Sequence, residues 1–214
     1  MAFDPTAIST VPLRPVQRET YYRSVSVQAL VDYKAAKFLS GEHSGKAGGR
    51  YNSPGQDPTL YLSGSQTLAS LEAEQAMFYI GLATVFPGPR LVSAVRVEDA
   101  NVLDLTSPFV CTTLGIPTTQ LTQATPIRTA LNAAGSLSLT QMIGDAARHR
   151  PDCDGLLAPS WLRAVLDPSF PRPENLILFL DPLSPDHARR AGVRFTVSDT
   201  SPRGLIAQLD AMGA

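Results

Sequence analysis

The apolar run from Glu174 to Leu180 (ENLILFL) constrains the fold more than any other stretch of this sequence. It lacks the apolar–polar alternation of a half-exposed strand, so we predict a central strand in a sheet with both faces covered. A central strand needs neighbours on both sides. Short apolar and β-branched runs supply the candidates: Thr20 to Val25, Leu60 to Ser63, Arg90 to Val97 with Val102 to Leu105 as its continuation or successor, the run before Pro159, and Val193 to Val197.

Helical patterns alternate with these strands. Gln66 to Phe78, with Ser65 as N-cap, and Leu139 to His149 carry apolar residues at helical spacing. Further helical candidates are Ala29 to Phe38, as a short helix or irregular segment, a run that starts at Thr125-Pro126, Pro185 to Ala191 and Pro202 to Met212. No internal repeat is present, and the order of elements predicts a single α+β domain rather than a repeating βαβ winding.

The connections are predicted to be long and stiff, because many of the 18 prolines fall between the elements. Residues 1–18 are predicted to form an extended arm on the surface, and residues 106–126 a long loop or insertion. Four glycines between Gly41 and Gly49 predict a flexible loop in which backbone N–H groups approach a ligand.

Composition argues against several classes of protein. A formal net charge of -1 provides no overall positive field for nucleic acid. No apolar run reaches the ~20 residues of a membrane span, and the N-terminus lacks a signal-peptide pattern, so we expect a soluble cytoplasmic protein. Cys111 and Cys153 lack CxxC spacing, which favours two buried thiols over a disulfide or a metal pair.

The stretch from Gly48 to Glu72 brings together glycines, the cation Arg50, the aromatic ring of Tyr61 and the carboxylate of Glu72. An arginine beside glycines suits an anionic ligand, because its planar guanidinium forms paired hydrogen bonds. Plain structural roles compete with the functional ones: a solvated helix residue for Glu72, an edge position for Arg23 and a helix N-cap for Ser160.

Six blocks of the sequence together resemble the RES domain family, which is named after an arginine, a glutamate and a serine. The blocks are Tyr22-Arg23, Gly48-Gly49-Arg50-Tyr51-Asn52 with Pro54-Gly55, Tyr61-Leu62-Ser63, Glu72, Asp154 to Ser160 and Asn175 to Phe179. The resemblance implies three parts: an N-terminal arm (1–19), a RES catalytic domain (20–180) and a C-terminal strand and helix extension (181–214) packed on the same domain.

The resemblance also implies an ADP-ribosyltransferase-like core of short mixed strands with flanking helices, and an enzyme that consumes NAD without a metal. RES proteins are the toxins of toxin–antitoxin pairs. The implied partner is therefore an Xre-like helix-turn-helix antitoxin in a hetero-oligomer, and contact with DNA is expected only through that antitoxin. Two candidate surfaces for an antitoxin or a second copy stay open, the segment 106–140 and the C-terminal helix.

Residue roles follow from the same resemblance. The implied catalytic residues are Glu72, Arg50, Tyr61 and Arg23, with the arginines gripping the ligand and Tyr61 against the nicotinamide. The implied substrate-binding residues add Tyr22, Tyr51, Asn52 and Ser160 to Arg23, Arg50 and Tyr61. The chain departs from the family pattern at Tyr51, where a tryptophan often follows the arginine.

Three functions stay open at this point. Cleavage of NAD+ at the nicotinamide–ribose bond, with water or phosphate as acceptor, would deplete cellular NAD and arrest growth. Transfer of ADP-ribose to a protein uses the same donor site, so a mono-ADP-ribosyltransferase is the first alternative. The second is an inactive antitoxin-binding module, against which the intact set of Arg23, Arg50, Tyr61, Glu72 and Ser160 argues.

Overall fold

A computed structural model describes residues 3–26, 41–79, 90–122, 130–164, 166–180 and 195–197 of the 214-residue chain. Several predicted elements lie outside these residues: the helices at Ala29 to Phe38, Pro185 to Ala191 and Pro202 to Met212, and the helix start at Thr125-Pro126.

The described residues form a mixed α+β domain around one sheet. Its strands are β1 (Arg14–Ser26), β2 (Thr59–Ser63), β3 (Arg90–Asp104), β4 (Gly155–Pro159), β5 (Glu174–Phe179) and β6 (Phe195–Val197). The strand order is β1-β2-β5-β4-β3-β6, and only the pair of β3 with β4 is parallel among the pairings described. Because β5 lies between β2 and β4, with Leu176 to Phe179 fully buried, the predicted central strand is confirmed.

Five of these strands close into a ring. β1 pairs with β2 at Tyr22 and Ser63, and it also pairs with β3 along its length. One apolar cluster, which includes Val16, Leu62 and Leu178, draws residues from all five strands and fills the inside of the ring. A second cluster joins the outer face to the helices. Each fully buried aliphatic side chain contributes ~1.5–3 kcal/mol, so these two clusters supply the main driving force for folding.

Within the described residues, four α-helices accompany the sheet: α1 (Glu42–Ala47), α2 (Gln66–Tyr79), α3 (Pro108–Thr113) and α4 (Leu139–His149). Short 3-10 helices span Pro5–Ser9, Thr118–Thr122 and Trp161–Ala164. The two strongest helix predictions are confirmed as α2 and α4. The predicted N-cap of α2 is also confirmed, because Ser65 Oγ accepts the N–H of Leu68 at 3.2 Å. None of the helices among the described residues has the length and apolar character needed to cross a membrane.

The predicted flexible glycine loop is wrong, because residues 42–47 form α1. Gly41 and Gly48 bound this helix with φ of 58° and 73°, a left-handed backbone that glycine adopts without strain. Gly41 and Gly48 therefore mark the two ends of a helix and do not form a flexible loop.

The predicted long loop at 106–126 is also wrong in its described part. It contains α3 and a 3-10 helix, and Pro108 stands in the first turn of α3, where its missing N–H costs nothing.

The N-terminal segment is not a loose surface arm. Ile8 and Val11 are buried in the outer cluster, and β1 begins at Arg14. The Arg150 guanidinium donates to the carbonyl oxygens of Ile8 and Val11 at 2.6 Å each, which fastens the segment to the end of α4. Cys111 and Cys153 are buried free thiols, as predicted.

Candidate active site

The Glu72 carboxylate on α2 accepts three hydrogen bonds from neutral side chains. Oε1 accepts from Ser160 Oγ at 2.5 Å and from Asn175 Nδ2 at 2.7 Å, and Oε2 accepts from Ser63 Oγ at 3.1 Å. Both oxygens are thereby fixed in position. We call Glu72, Ser63, Ser160 and Asn175 the carboxylate cluster.

The sheet explains why residues so distant in sequence meet here. Ser63 is the last residue of β2 and pairs directly with Asn175, the second residue of β5. Since β5 is antiparallel to both β2 and β4, its start lies beside their ends. Ser160 directly follows β4 at the same end of the sheet. In the sequence, Ser160 lies 88 residues and Asn175 lies 103 residues from Glu72, and the sheet brings all three together.

Ser160 has two roles at once. Its Oγ accepts the N–H of Leu162 at 3.1 Å, which caps the 3-10 helix Trp161–Ala164, and the same hydroxyl donates its one proton to Glu72. The structural and functional interpretations of this serine are therefore compatible. Ser160 is fully buried, so it orients the carboxylate rather than presenting a hydroxyl to solvent.

A tight turn at residues 49–52 carries Arg50. The turn is closed by the Gly49 N–H, which donates to the Asn52 carbonyl at 2.9 Å. Tyr61 Oη donates to Asn52 Oδ1 at 2.8 Å and accepts the N–H of Tyr51 at 2.9 Å. The Tyr61 hydroxyl thus anchors the turn, and a side chain at Gly49 would collide with it.

Helix α4 supports the same turn from behind. The fully buried Gln141 directs its Nε2 towards the carbonyl oxygens of Gly49 and Asn52 at 3.4 and 3.3 Å. Its Oε1 accepts the N–H of Ser138 at 3.0 Å and completes a capping box at the start of α4. Gly144 packs on the Tyr51 carbonyl with no room for a Cβ atom.

Arg50 and Tyr51 lie close together in the turn. The Arg50 guanidinium carbon lies 5.9 Å from the centre of the Tyr51 ring. Burial raises the pKa of Tyr51 to about 12, the charge of Arg50 opposes this, and the charge of Glu72 adds a smaller increase. The Tyr51 hydroxyl is therefore within electrostatic range of both charges. Nε and Nη2 of Arg50 are buried and have no hydrogen-bond partner in the described part of the chain.

Two of the remaining predicted residues, Tyr22 and Arg23, lie on opposite faces of β1. Tyr22 pairs with Ser63 and so shares the face of the carboxylate cluster. Arg23 pairs with the buried Ser93 and, as the next residue along the strand, faces the opposite side. Burial lowers the pKa of Arg23 to about 10. Asn52 is fully buried, with its amide committed to Tyr61 and, at 2.6 Å, to the Ser44 carbonyl.

Two cavities described in the structure lie elsewhere. One, of about 580 Å³, borders Arg14, Thr106 and Arg163, and the other, of about 640 Å³, lies between Phe3 and α4. Neither is lined by any of the eight predicted site residues. Among the described residues, no group of His, Cys, Asp and Glu side chains is arranged to hold a metal ion.

Comparison with known proteins shows the family to which the chain belongs. The model of the RES domain matches residues 20–199. The chain belongs to the RES domain family. No curated protein sequence matches it. Among solved structures, the MbcT–MbcA toxin–antitoxin complex from M. tuberculosis is similar with a TM-score of 0.60 and 22% identity, over 97% of this chain and 96% of that one.

Three residues of this RES domain had no role predicted from the sequence: Ser63, Asn175 and Gln141. Ser63 and Asn175 stand inside blocks that carried the family resemblance, and a polar residue at the start of the most apolar strand is a usable signal for Asn175. Nothing in the sequence around Gln141 indicated a role in the site. Helical spacing puts Met142 on one face of α4 with Leu139, Ile143 and Ala146, but Met142 is 41% exposed and the polar Gln141 is fully buried.

Proposed function

We propose that this chain is the toxin of a toxin–antitoxin pair and that it cleaves NAD+ at the nicotinamide–ribose bond. Membership of the RES family and the similarity to a toxin–antitoxin complex support the biological role. The observation that carries the chemistry is the Glu72 carboxylate, held by three neutral donors from the ends of β2 and β4 and the start of β5.

The reaction breaks the bond between C1′ of the ribose and N1 of the pyridinium. The bonding electrons move to N1, so nicotinamide leaves as a neutral molecule and positive charge develops on the ribose. Glu72 stabilises this oxocarbenium-like state, as carboxylates do in glycoside cleavage. A water oxygen then bonds to C1′ and releases one proton, which gives ADP-ribose; phosphate as acceptor gives ADP-ribose 1″-phosphate.

The remaining residues bind and position. Arg50 supplies buried N–H donors for the pyrophosphate. Tyr51 and Tyr22 border the ligand, and Ser160 orients Glu72. Tyr61, predicted to lie against the nicotinamide, and Asn52, predicted to bind substrate, use their polar groups to hold the Arg50 turn. The role of Arg23 in gripping the ligand stays a prediction, because Arg23 faces the side of β1 opposite the carboxylate cluster. The core is of the ADP-ribosyltransferase type, and residues 20–180 form the catalytic unit between an N-terminal segment that packs on the domain and a C-terminal extension.

The partner we propose is an Xre-like helix-turn-helix antitoxin, with the pair acting in the cytoplasm. The toxin itself touches DNA only through that antitoxin. A mono-ADP-ribosyltransferase remains the second candidate, because the donor site in both reactions has the same requirements. The hydrogen-bonded carboxylate cluster argues against an inactive binding module.

Purified protein, freed of antitoxin and incubated with NAD+ labelled in its adenylate part, decides among these functions. We expect nicotinamide release and loss of NAD+, both abolished by Glu72→Ala in a protein that remains folded. A labelled protein band with little free ADP-ribose would assign a transferase instead. If neither activity is found, the inactive module is correct.

A further inference from the structure

The orientation of the Asn175 amide is fixed by its neighbour. Its Nδ2 lies 2.7 Å from Glu72 Oε1. A carboxylate only accepts hydrogen bonds, so the NH2 end must face it and the Oδ1 end must face away. The amide cannot be reversed without placing two acceptors against each other.

This leaves Asn175 Oδ1 as an open acceptor. The atom is buried and has no hydrogen-bond partner in the described part of the chain. Buried acceptors are rarely left unsatisfied in folded proteins, because they lose their bonds to water. The nearby serines do not satisfy it, because Ser63 and Ser160 both donate their hydroxyl protons to Glu72.

Among the described residues, the site thus offers uncommitted polar groups on Arg50, Tyr51 and Asn175. Arg50 offers buried N–H donors and Asn175 offers a buried acceptor next to the carboxylate. The matching ligand has an anionic group and, near the bond that reacts at Glu72, an N–H donor. In NAD+ the pyrophosphate is the anion, and the carboxamide of the nicotinamide carries the N–H donor closest to the scissile bond in the departing group.

We propose that Asn175 Oδ1 accepts a hydrogen bond from the carboxamide NH2 of nicotinamide and so selects dinucleotides that carry an amide. The inference rests on the proposed function. In this arrangement Asn175 binds the leaving group with one end of its amide and orients Glu72 with the other. Departure of nicotinamide and placement of the carboxylate are thereby coupled through one side chain.

The test compares kcat/KM for NAD+ with kcat/KM for the 3-acetylpyridine analogue, which keeps the carbonyl but has a methyl group in place of NH2. The thioamide analogue, which keeps the NH2, is the positive control. We expect the preference of the wild type for NAD+ over the acetyl analogue to fall roughly ten- to hundredfold in Asn175→Ala. Ser63→Ala is the matched control, because it also removes one donor from Glu72 but leaves Oδ1 of Asn175 in place. It should lower the rate for all three dinucleotides and keep the preference.

The outcomes are distinguishable. A wild type that releases no nicotinamide from NAD+ overturns the proposed function and this inference with it. An active wild type whose preference survives in a folded Asn175→Ala overturns the inference alone. If Asn175→Ala does not fold, product inhibition of the wild type decides: nicotinamide should inhibit at least tenfold more strongly than 3-acetylpyridine, and equal inhibition overturns the inference.

Discussion

Hydrogen bonds fix the position of the Glu72 carboxylate. Three neutral donors hold its two oxygens, so the described residues orient the carboxylate without placing a cation on the same atoms. Preorganised charge of this kind stabilises a transition state most where it does not have to rearrange during the reaction. The cluster is therefore suited to a developing cation on the ribose.

Replacement of Glu72 by glutamine tests the charge and leaves the shape almost unchanged. In Glu72→Gln we expect nicotinamide release to fall roughly 100-fold or more, because the negative charge is lost. The measurement is single-turnover nicotinamide release, with circular dichroism to verify the fold. A folded variant with the wild-type rate would refute the role of Glu72.

Substitution of Arg50 by lysine tests how the protein recognises the pyrophosphate of NAD+. Lysine keeps the positive charge but lacks the planar fork, so Arg50→Lys should raise KM for NAD+ about tenfold or more with a smaller effect on kcat. Steady-state kinetics at fixed ionic strength measure this. An unchanged KM would mean that the open Nε and Nη2 donors do not contact the dinucleotide.

At the scale of elements, α4 is the support on which the Arg50 turn rests. Gln141 contacts the turn through two carbonyl oxygens, and Gly144 packs directly on the Tyr51 carbonyl. Neither residue belongs to the stretch that carries Arg50. The position of the guanidinium therefore depends on packing between segments about 90 residues apart.

Substitution of Gly144 by alanine should show this dependence. The added Cβ collides with backbone rather than with a flexible side chain, so we expect a loss of ~1–3 kcal/mol in the free energy of unfolding and a raised KM. Urea denaturation and NAD+ kinetics measure the two effects. The control is Met142→Ala on the exposed side of α4, which should change stability by only about 0.5 kcal/mol. Equal effects of the two substitutions would contradict the packing argument.

At the scale of the whole molecule, buried tyrosines set the stability at high pH. The pKa of Tyr51 rises from 10 to about 12 on folding, mainly through burial. Above pH 10 the unfolded chain loses this proton while the folded chain keeps it, so stability is full below pH 10 and falls as pH rises towards 12. The Arg23 guanidinium acts in the opposite direction: burial lowers its pKa to about 10, so the cost of burying its charge is present below pH 10 and is relieved as the pH rises.

Removal of the Tyr51 hydroxyl should flatten this decline. In Tyr51→Phe we expect the loss of unfolding free energy between pH 9.5 and 11.5 to be smaller by about 2 kcal/mol at most. Chemical denaturation at a series of pH values, with both proteins compared at pH 7, measures it. Parallel stability curves for the two proteins would show that Tyr51 does not control the alkaline limit.

Local patterns were enough for the regular elements. The continuous apolar run at Glu174 to Leu180 predicted the central strand, and helical spacing predicted α2 and α4, because both signals depend only on neighbouring residues. The same local reasoning failed at residues 41–49. Glycine richness there is typical of a loop, but packing of Gly41 and Gly45 on the backbone of residues 56–59 accompanies a short helix.

The sequence by itself determined the central strand, helices α2 and α4 and the family, because these depend on local periodicity and on blocks of residues that remain recognisable in isolation. Only the tertiary structure decided that Ser63, Ser160 and Asn175 converge on Glu72 and that Gln141 supports the Arg50 turn. The physical reason is that pairing of β5 with both β2 and β4 brings together side chains up to 103 residues apart, and no local pattern encodes that distance. Hydrogen bonds of this range form only once the sheet has closed.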